Sequence, residues 1–227
     1  MTILHIETST NVCSIALSED GNCFFSKINT EGMNHAAMLS VFIAEAMDIL
    51  KTNSKSLDAI AVSSGPGSYT GLRIGVSTAK GLCYGLDIPL IDVSTLEVLA
   101  APVIASVENT ENALFCPMID ARRMEVYAAL YDSNDEIYRK IAADIIDSDS
   151  YAEALENHVV YFFGNGADKC KETLTHPNAR FLEDIVPLAE NMIPIAEQAF
   201  KEKKFVDVAY FVPFYLKEFH TTAPKNK

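Results

Sequence analysis

Residues 63–81 have the sequence SSGPGSYTGLRIGVSTAKG, and glycines recur along the whole stretch. The apolar run AIAV at residues 59–62 comes directly before it and is typical of a short buried strand. The Gly-Pro-Gly turn leads into a segment with helical spacing, for which we expect Thr70 to be the N-cap. The stretch therefore predicts a strand, a tight turn and a helix.

A glycine-rich turn before a helix is a common phosphate site, because free backbone N–H groups and the positive end of the helix dipole meet there. The spacing here fits neither common nucleotide motif. A P-loop beginning at Gly65 or Gly67 would need a further glycine where Thr70 or Leu72 stands. A dinucleotide fingerprint also needs a glycine in place of Thr70. The glycines therefore need another explanation.

Several small residues gather on one face of this predicted helix. An interior glycine costs about 1 kcal/mol relative to alanine, so a group of them indicates a close contact, which we expect to be another helix. The spacing leaves open whether that neighbour lies in the same fold, belongs to a partner chain or is a ligand. The residues on this face are Gly71, Gly75, Thr78, Ala79 and Leu82.

Composition limits the classes of function. The formal net charge of -13 argues against a chain that grips nucleic acid by itself, because binding to phosphates requires clustered Lys and Arg. The five cysteines are scattered without metal-site spacing, which predicts reduced core residues. The N-terminus lacks the pattern of a signal peptide, and no apolar run approaches the roughly 20 residues of a membrane span. We therefore expect a cytoplasmic protein without a membrane anchor.

The first half of the chain contains three predicted strands, with a hairpin turn at Asp20-Gly21, and then a helix over about residues 35–51 capped by Asn34. The apolar arc of this helix covers about half its circumference, which is wider than a one-sided surface helix needs. Either the helix is sunk in its own domain or one flank contacts a second subunit. The arc includes Met38, Leu39, Phe42, Ala46 and Ile49.

The second half repeats the order of the first. Both halves predict three strands followed by helix, strand, helix, strand and helix; in the second half these include a helix from the turn at residues 164–166 to about Leu174 and a last helix near residues 194–203. The pattern predicts two α/β lobes, each with a mixed sheet, and a cleft between them. We assign residues 1–107 to an N-terminal lobe, 113–217 to a reduced C-terminal lobe and 218–227 to a tail.

Two polar turns follow the first strand of each predicted lobe and are expected to face each other across the cleft. Hydroxyl, backbone N–H and guanidinium groups there are suited to phosphates, and Glu7 or Asp120 to a magnesium ion. The alternative is a pair of polar hairpin turns in which Asp120 pairs with an arginine. No histidine or cysteine pattern identifies a catalytic set or a metal site. The turn residues are Glu7, Thr8, Ser9 and Thr10, and Asp120, Arg122 and Arg123.

Five segments of the chain closely resemble the bacterial TsaB family, also called YeaZ. They are residues 3–10, 59–81, 88–97, 119–127 and 213–217, and the SGPGSYTGLRIG block is the most specific. The resemblance implies the actin-like ATPase fold (the ASKHA, ribonuclease H-like fold), with two lobes that each have a mixed β-sheet flanked by helices. It also implies a non-catalytic scaffold or activating subunit of the complex that forms N6-threonylcarbamoyladenosine at position 37 of tRNAs reading ANN codons.

The resemblance implies partners as well. The TsaD transferase subunit would pair with the two helices at residues 34–51 and 70–85, through the residues named above on each helix. A TsaE-family ATPase is a further partner, and tRNA is reached indirectly through the complex. The sequence leaves open whether the isolated chain is a homodimer or a monomer.

The resemblance predicts no cofactor bound by this chain. Glu7 stands where the family usually has Asp, and its longer side chain would crowd a metal-phosphate site, so ATP and magnesium are expected only at a subunit junction. The alternative is a stand-alone actin-like Mg-ATP hydrolase or phosphotransferase that uses Glu7, Asp120 and Arg122. A protease is a weaker alternative, which the missing metal ligands disfavour.

Overall fold

The computed structural model describes residues 1–32, 34–108 and 112–217. Met33, residues 109–111 and the predicted tail at 218–227 lie outside these described residues. Two five-stranded mixed sheets are present, which confirms the predicted two-lobed α/β class. The elements up to the second sheet are β1 (Thr2–Glu7), β2 (Cys13–Glu19), β3 (Asn22–Asn29), α1 (His35–Thr52), β4 (Ala59–Gly65), α2 (Tyr69–Leu86), β5 (Leu90–Ser94) and α3 (Thr95–Ser106).

The first sheet has the strand order β3-β2-β1-β4-β5. Central strand β1 pairs antiparallel with β2 and parallel with β4, and every residue of β1 and β4 is buried. Asp20 and Gly21, with φ of 47° and 79°, form the predicted turn between β2 and β3. Helices α1 and α2 bury their apolar residues in one core cluster with this sheet.

The observed helix caps differ from the predicted ones. Ser68, not Thr70, is the N-cap of α2, and its hydroxyl accepts a hydrogen bond of 3.3 Å from the Gly71 N–H. The helix therefore begins two residues earlier than the sequence suggested, because Ser68 offers its oxygen to the first turn. Asn34 stands at the N-cap position of α1, but its side chain forms no capping bond.

The second sheet repeats the topology of the first, with strand order β10-β9-β6-β7-β8. Strand β6 takes the central place that β1 has in the first sheet, pairing antiparallel with β7 and parallel with β9. This arrangement confirms the predicted repeat of strand order. The elements are β6 (Ala113–Asp120), β7 (Glu125–Tyr131), β8 (Ile137–Ile145), α4 (Ala152–Asn157), β9 (Val159–Phe163) and β10 (Ala179–Phe181).

The predicted helix up to Leu174 is wrong in extent. Only a short 3-10 helix, Asp168–Cys170, forms after β9. Cys170 and Leu174 are buried, but the intervening residues are charged or polar, so the segment has too little apolar surface to hold a longer helix against the sheet. This is where the second lobe is reduced relative to the first.

The chain returns to the first sheet after β10. A 3-10 helix, Ala189–Met192, leads into α5 (Ile193–Lys201), in place of the helix predicted at residues 194–203. Met192 and Ala196 pack in a cluster with Ile3 and Ala61, although the sequence analysis assigned residues 113–217 to the second lobe. The predicted lobe boundaries stay a prediction. Among the described residues, no helix combines the length and apolar character needed to cross a membrane.

Candidate partner surface and inter-lobe turns

The turn after β1 packs against the N-terminal half of α2. The Thr8 hydroxyl donates a hydrogen bond of 2.8 Å to the Gly71 carbonyl oxygen, and the Ser68 N–H donates one of 2.6 Å to the Ser9 carbonyl oxygen. A Cβ on Gly71 would overlap the Thr8 carbonyl oxygen, and one on Gly75 would overlap the Thr8 hydroxyl. These two glycines are therefore explained by packing within the fold, and their neighbour is a turn instead of the expected helix.

The carboxyl group of Glu7 lies at the centre of this turn. It is fully buried, and its Oε1 accepts a hydrogen bond of 2.6 Å from the Ser9 N–H, while Oε2 has no partner among the described residues. Burial raises the pKa of Glu7 to about 7, because the ionised form is poorly solvated there; hydrogen bonds from Ser9 oppose this shift. At neutral pH a large fraction of this carboxyl group is uncharged.

The first turn does not fit a magnesium–phosphate group. Thr8 and Ser9 are fully buried, and Thr10 is nearly so. The Thr8 hydroxyl is already used on Gly71, and a phosphate would have to enter where α2 packs on the turn. Helix α1 is held to the same turn, because the His35 Nε2 donates a hydrogen bond of 2.7 Å to the Thr10 carbonyl oxygen.

The second turn, between β6 and β7, is by contrast exposed. In the alternative of two polar hairpin turns, Asp120 would pair with an arginine. Its carboxylate instead forms an ion pair with Lys169, a partner that the sequence did not indicate. The same carboxylate accepts a hydrogen bond of 3.1 Å from the Arg122 backbone N–H. Arg122 and Arg123 have φ of 71° and 50°, and both are exposed.

Residues 206–217, here called the C-terminal strap, connect the first lobe to this second turn. The strap begins with a bridge between Val206 and Leu90, and the Phe214 N–H donates a hydrogen bond of 2.7 Å to the Ser64 carbonyl oxygen. At its end Lys217 forms an ion pair with Glu125 on β7. The strap therefore passes the carboxyl end of β4 and links the first lobe to β7 of the second.

The ten predicted interface residues on α1 and α2 divide into two groups. Six are buried in the chain's own core, so a charge at Gly75 or Phe42 would disrupt the lobe itself, contrary to the expectation that such residues form an outer face. The buried residues are Leu39, Phe42, Ala46, Gly71, Gly75 and Ala79. Met38, Ile49, Thr78 and Leu82 are half-buried and remain accessible to a partner.

Within residues 1–32, 34–108 and 112–217, no group of three or more His, Cys, Asp or Glu side chains is close enough to hold a metal ion. All five cysteines are free thiols. Four are buried, as predicted for core residues, but the prediction is wrong for Cys23, which is exposed on the edge strand β3.

Comparisons with known proteins identify the family. The family model described as "TsaD: tRNA N6-adenosine threonylcarbamoyltransferase" matches residues 30–220. The tRNA threonylcarbamoyladenosine biosynthesis protein TsaB of Escherichia coli (strain K12) is 32% identical over 225 residues, which cover 96% of this chain and 95% of that protein. The protein of the same name from Bacillus subtilis (strain 168) is 32% identical over 230 residues, covering 96% of this chain and 94% of the relative.

The fold agrees with a solved structure. YeaZ from Pseudomonas aeruginosa is 27% identical and superposes with a TM-score of 0.74, covering 95% of this chain and 99% of that one. The sequence matches and the structural superposition both cover about 95% of this chain and point to the same family. The chain, with its two-lobed α/β fold, therefore belongs to the TsaB (YeaZ) family.

Proposed function

We propose that this chain is a non-catalytic scaffold or activating subunit of the complex that forms N6-threonylcarbamoyladenosine at position 37 of tRNAs reading ANN codons. The names of its relatives support a role in the biosynthesis of this nucleoside. The observation that carries the non-catalytic part is the burial of the first inter-lobe turn. Thr8 and Ser9 bond to α2 and its N-cap, Glu7 bonds to Ser9, and all three are withdrawn from solvent.

The partner in this proposal is a TsaD-family subunit, which binds the accessible seam between α1 and α2. Met38 and Ile49 supply that seam from α1, and Thr78 and Leu82 supply it from α2. Val41, with 50% of its surface exposed, extends the apolar area on α1. A second helix pair fits such a surface, because the side-chain ridges of one helix pack into the grooves of another. In the absence of that subunit, the same surface would serve a homodimer.

Nucleotide binding, in this proposal, requires a second subunit. The buried turn leaves this chain without a complete site, so ATP and magnesium would be held only at a subunit junction, with a TsaE-family ATPase as the further partner. Magnesium-dependent ATP hydrolysis by the isolated chain that disappears in Asp120→Ala would contradict the non-catalytic role. The proposed location is the cytoplasm, where the tRNA substrate is.

The experiment that tests the proposal quantifies threonylcarbamoyladenosine by mass spectrometry in tRNA from cells depleted of this protein. We expect the nucleoside to disappear and to return with the wild-type gene. Thr78→Arg should fail to restore it and should fail to co-purify with the TsaD-family subunit. Ser77→Arg is the matched control, since Ser77 is exposed one position earlier on the same helix. An unchanged nucleoside level after depletion would contradict the proposal.

A further inference from the structure

A group of basic and aromatic side chains joins the two lobes at the strap. We call it the basic–aromatic patch. It is formed by α2, by the end of the C-terminal strap and by the turn between β6 and β7. Its members are Tyr69, Arg73, Arg122, Arg123, Tyr215 and Lys217.

Direct contacts connect the first-lobe members. The Arg73 guanidinium lies over the Tyr69 ring, 5.3 Å from its centroid, and donates a hydrogen bond of 3.2 Å to the Tyr69 hydroxyl. The ring of Tyr69 in turn lies 4.9 Å from that of Tyr215, measured between centroids. Arg73 therefore lies on Tyr69, and Tyr69 in turn packs against the strap.

The strap carries the patch onto the second lobe. Lys217 lies two residues after Tyr215, a span of at most about 7 Å, and its ammonium group pairs with Glu125. The Glu125 N–H donates a hydrogen bond of 3.1 Å to the Arg122 carbonyl oxygen, so Lys217 and Arg122 meet at one turn. The charges of both also act to lower the pKa of Tyr127, against a larger rise caused by burial.

The patch carries net positive charge in an acidic chain. Among the described residues, its neighbouring carboxylates are Asp120 and Glu125, which are paired with Lys169 and Lys217. Within the described part of the chain, the guanidinium groups of Arg73, Arg122 and Arg123 have no carboxylate partner. The local balance is thus about three positive charges, whereas the whole chain has a net charge of -13.

We infer that the basic–aromatic patch binds the phosphate backbone of RNA. That this RNA is tRNA rests on the proposed function. Guanidinium groups bind phosphate oxygens through paired hydrogen bonds, and unpaired exposed arginines are available for this. Of the two inter-lobe turns, the first is buried and the second is exposed, so only the second is open to phosphates from solvent. The acidic remainder of the chain repels RNA and confines it to this patch. RNA binding by the patch adds to RNA binding by the other subunits of the complex.

The test uses the full chain in complex with its TsaD-family subunit, and measures binding of a tRNA transcript by fluorescence anisotropy at several salt concentrations. The variant is the double charge reversal Arg122→Glu with Arg123→Glu. Its control is Lys140→Glu with Lys203→Glu, which makes the same change in net charge at two exposed lysines outside the patch and outside α1 and α2. Both complexes are also checked for intact assembly by size-exclusion chromatography.

We expect the double reversal at Arg122 and Arg123 to weaken binding roughly tenfold to hundredfold, and to reduce the slope of log affinity against log salt by about two, one for each lost phosphate contact. The control should change affinity less than about twofold. Equal affinities and slopes in the variant and control complexes would overturn the inference. Loss of complex assembly in the variant alone would also overturn it, because the patch would then be a protein interface.

Two further readouts separate this inference from others. Displacement of the tRNA by millimolar Mg-ATP from the wild-type complex but not from the variant would assign the patch to a nucleotide and overturn the RNA assignment. The cellular nucleoside assay separates the two proposals. One outcome is that depletion of the protein abolishes the nucleoside while the Arg122/Arg123 variant retains normal RNA binding and normal nucleoside levels. That result would overturn the inference about the patch and leave the proposed function standing. If the nucleoside persists after depletion, the proposed function itself is overturned.

Discussion

The hydroxyl of Thr8 donates a hydrogen bond of 2.8 Å to the carbonyl oxygen of Gly71 and also occupies the space in which Gly75 would carry a Cβ. One buried side chain thus fixes two successive turns of α2 on the end of β1. A methyl group at Gly75 could not be accommodated by a rotamer change at Thr8 without breaking that hydrogen bond. The close contact therefore requires glycine at this position.

Gly75→Ala should lower the free energy of unfolding by about 1–3 kcal/mol, the usual cost of overpacking a core. Gly81→Ala is the control on the same helix, because no atom outside its local backbone lies within 4 Å of a Cβ there. It should raise stability by up to about 1 kcal/mol through helix propensity. Urea unfolding of the three proteins measures both effects. Equal stabilities for the two variants would show that α2 is free to move away from Thr8.

The fold was largely predictable because its elements have local signals. The Asp20-Gly21 hairpin and the apolar strands follow from turn chemistry and short-range pattern, and both recur in the structure. The C-terminal strap has no such signal. Its contact between Lys80 and Phe211 joins residues 131 positions apart, and no local periodicity specifies such a pairing.

The candidate site was predicted less well, for a related reason. A helical wheel shows that Phe42 and Gly75 lie on apolar or small-residue faces, but it does not distinguish a face that meets the chain's own core from one that meets a partner. The same limit applies to the polar turns. Glu7 and Asp120 occupy matching places as the last residues of β1 and β6, yet the first is buried and the second is exposed beside Lys169.

Glu7 should make stability depend on pH. Its pKa is about 7 in the folded chain against an ordinary value of 4.5, so its contribution is complete below about pH 4.5 and is lost as the pH rises through 7. Relative to Glu7→Gln, wild type should lose about 1 kcal/mol per pH unit between pH 5 and 7. Urea unfolding across this range measures the difference. Glu172→Gln, at an exposed position, is the control. A pH-independent difference would mean that Glu7 is ionised in the folded protein.

His5 should act in the opposite direction. It is fully buried on β1, and burial lowers its pKa from 6.5 to about 3, while its Nε2 lies 2.8 Å from the Ser18 hydroxyl. The stability from the neutral ring is complete above about pH 6.5 and is lost as the pH falls toward 3.

The measurement for His5 is urea unfolding between pH 6.5 and 4. Wild type should lose about 1 kcal/mol per pH unit more than His5→Gln over this range. His176→Gln, at an exposed position, should keep the wild-type slope. Parallel pH profiles for wild type and His5→Gln would show that the ring becomes protonated inside the fold.

Lys80 should hold the C-terminal strap on α2. Its ammonium group donates hydrogen bonds of 3.1 Å and 2.8 Å to the carbonyl oxygens of Ala209 and Phe211. Lys80→Met keeps most of the side-chain stem but removes both bonds, so the strap should open more often while the sheets stay intact. We expect the amide of Phe214, which donates to the Ser64 carbonyl oxygen, to exchange about tenfold faster, equivalent to about 1.4 kcal/mol.

Hydrogen exchange with mass spectrometry measures this opening peptide by peptide. Lys140→Met is the control, since Lys140 is exposed on β8 and forms no ion pair among the described residues. Strands β1 and β4 should exchange as in wild type, because their backbone bonds do not depend on the strap. Unchanged exchange at Phe214 in Lys80→Met would mean that the bridge of Val206 to Leu90 and the ion pair of Lys217 with Glu125 hold the strap without Lys80.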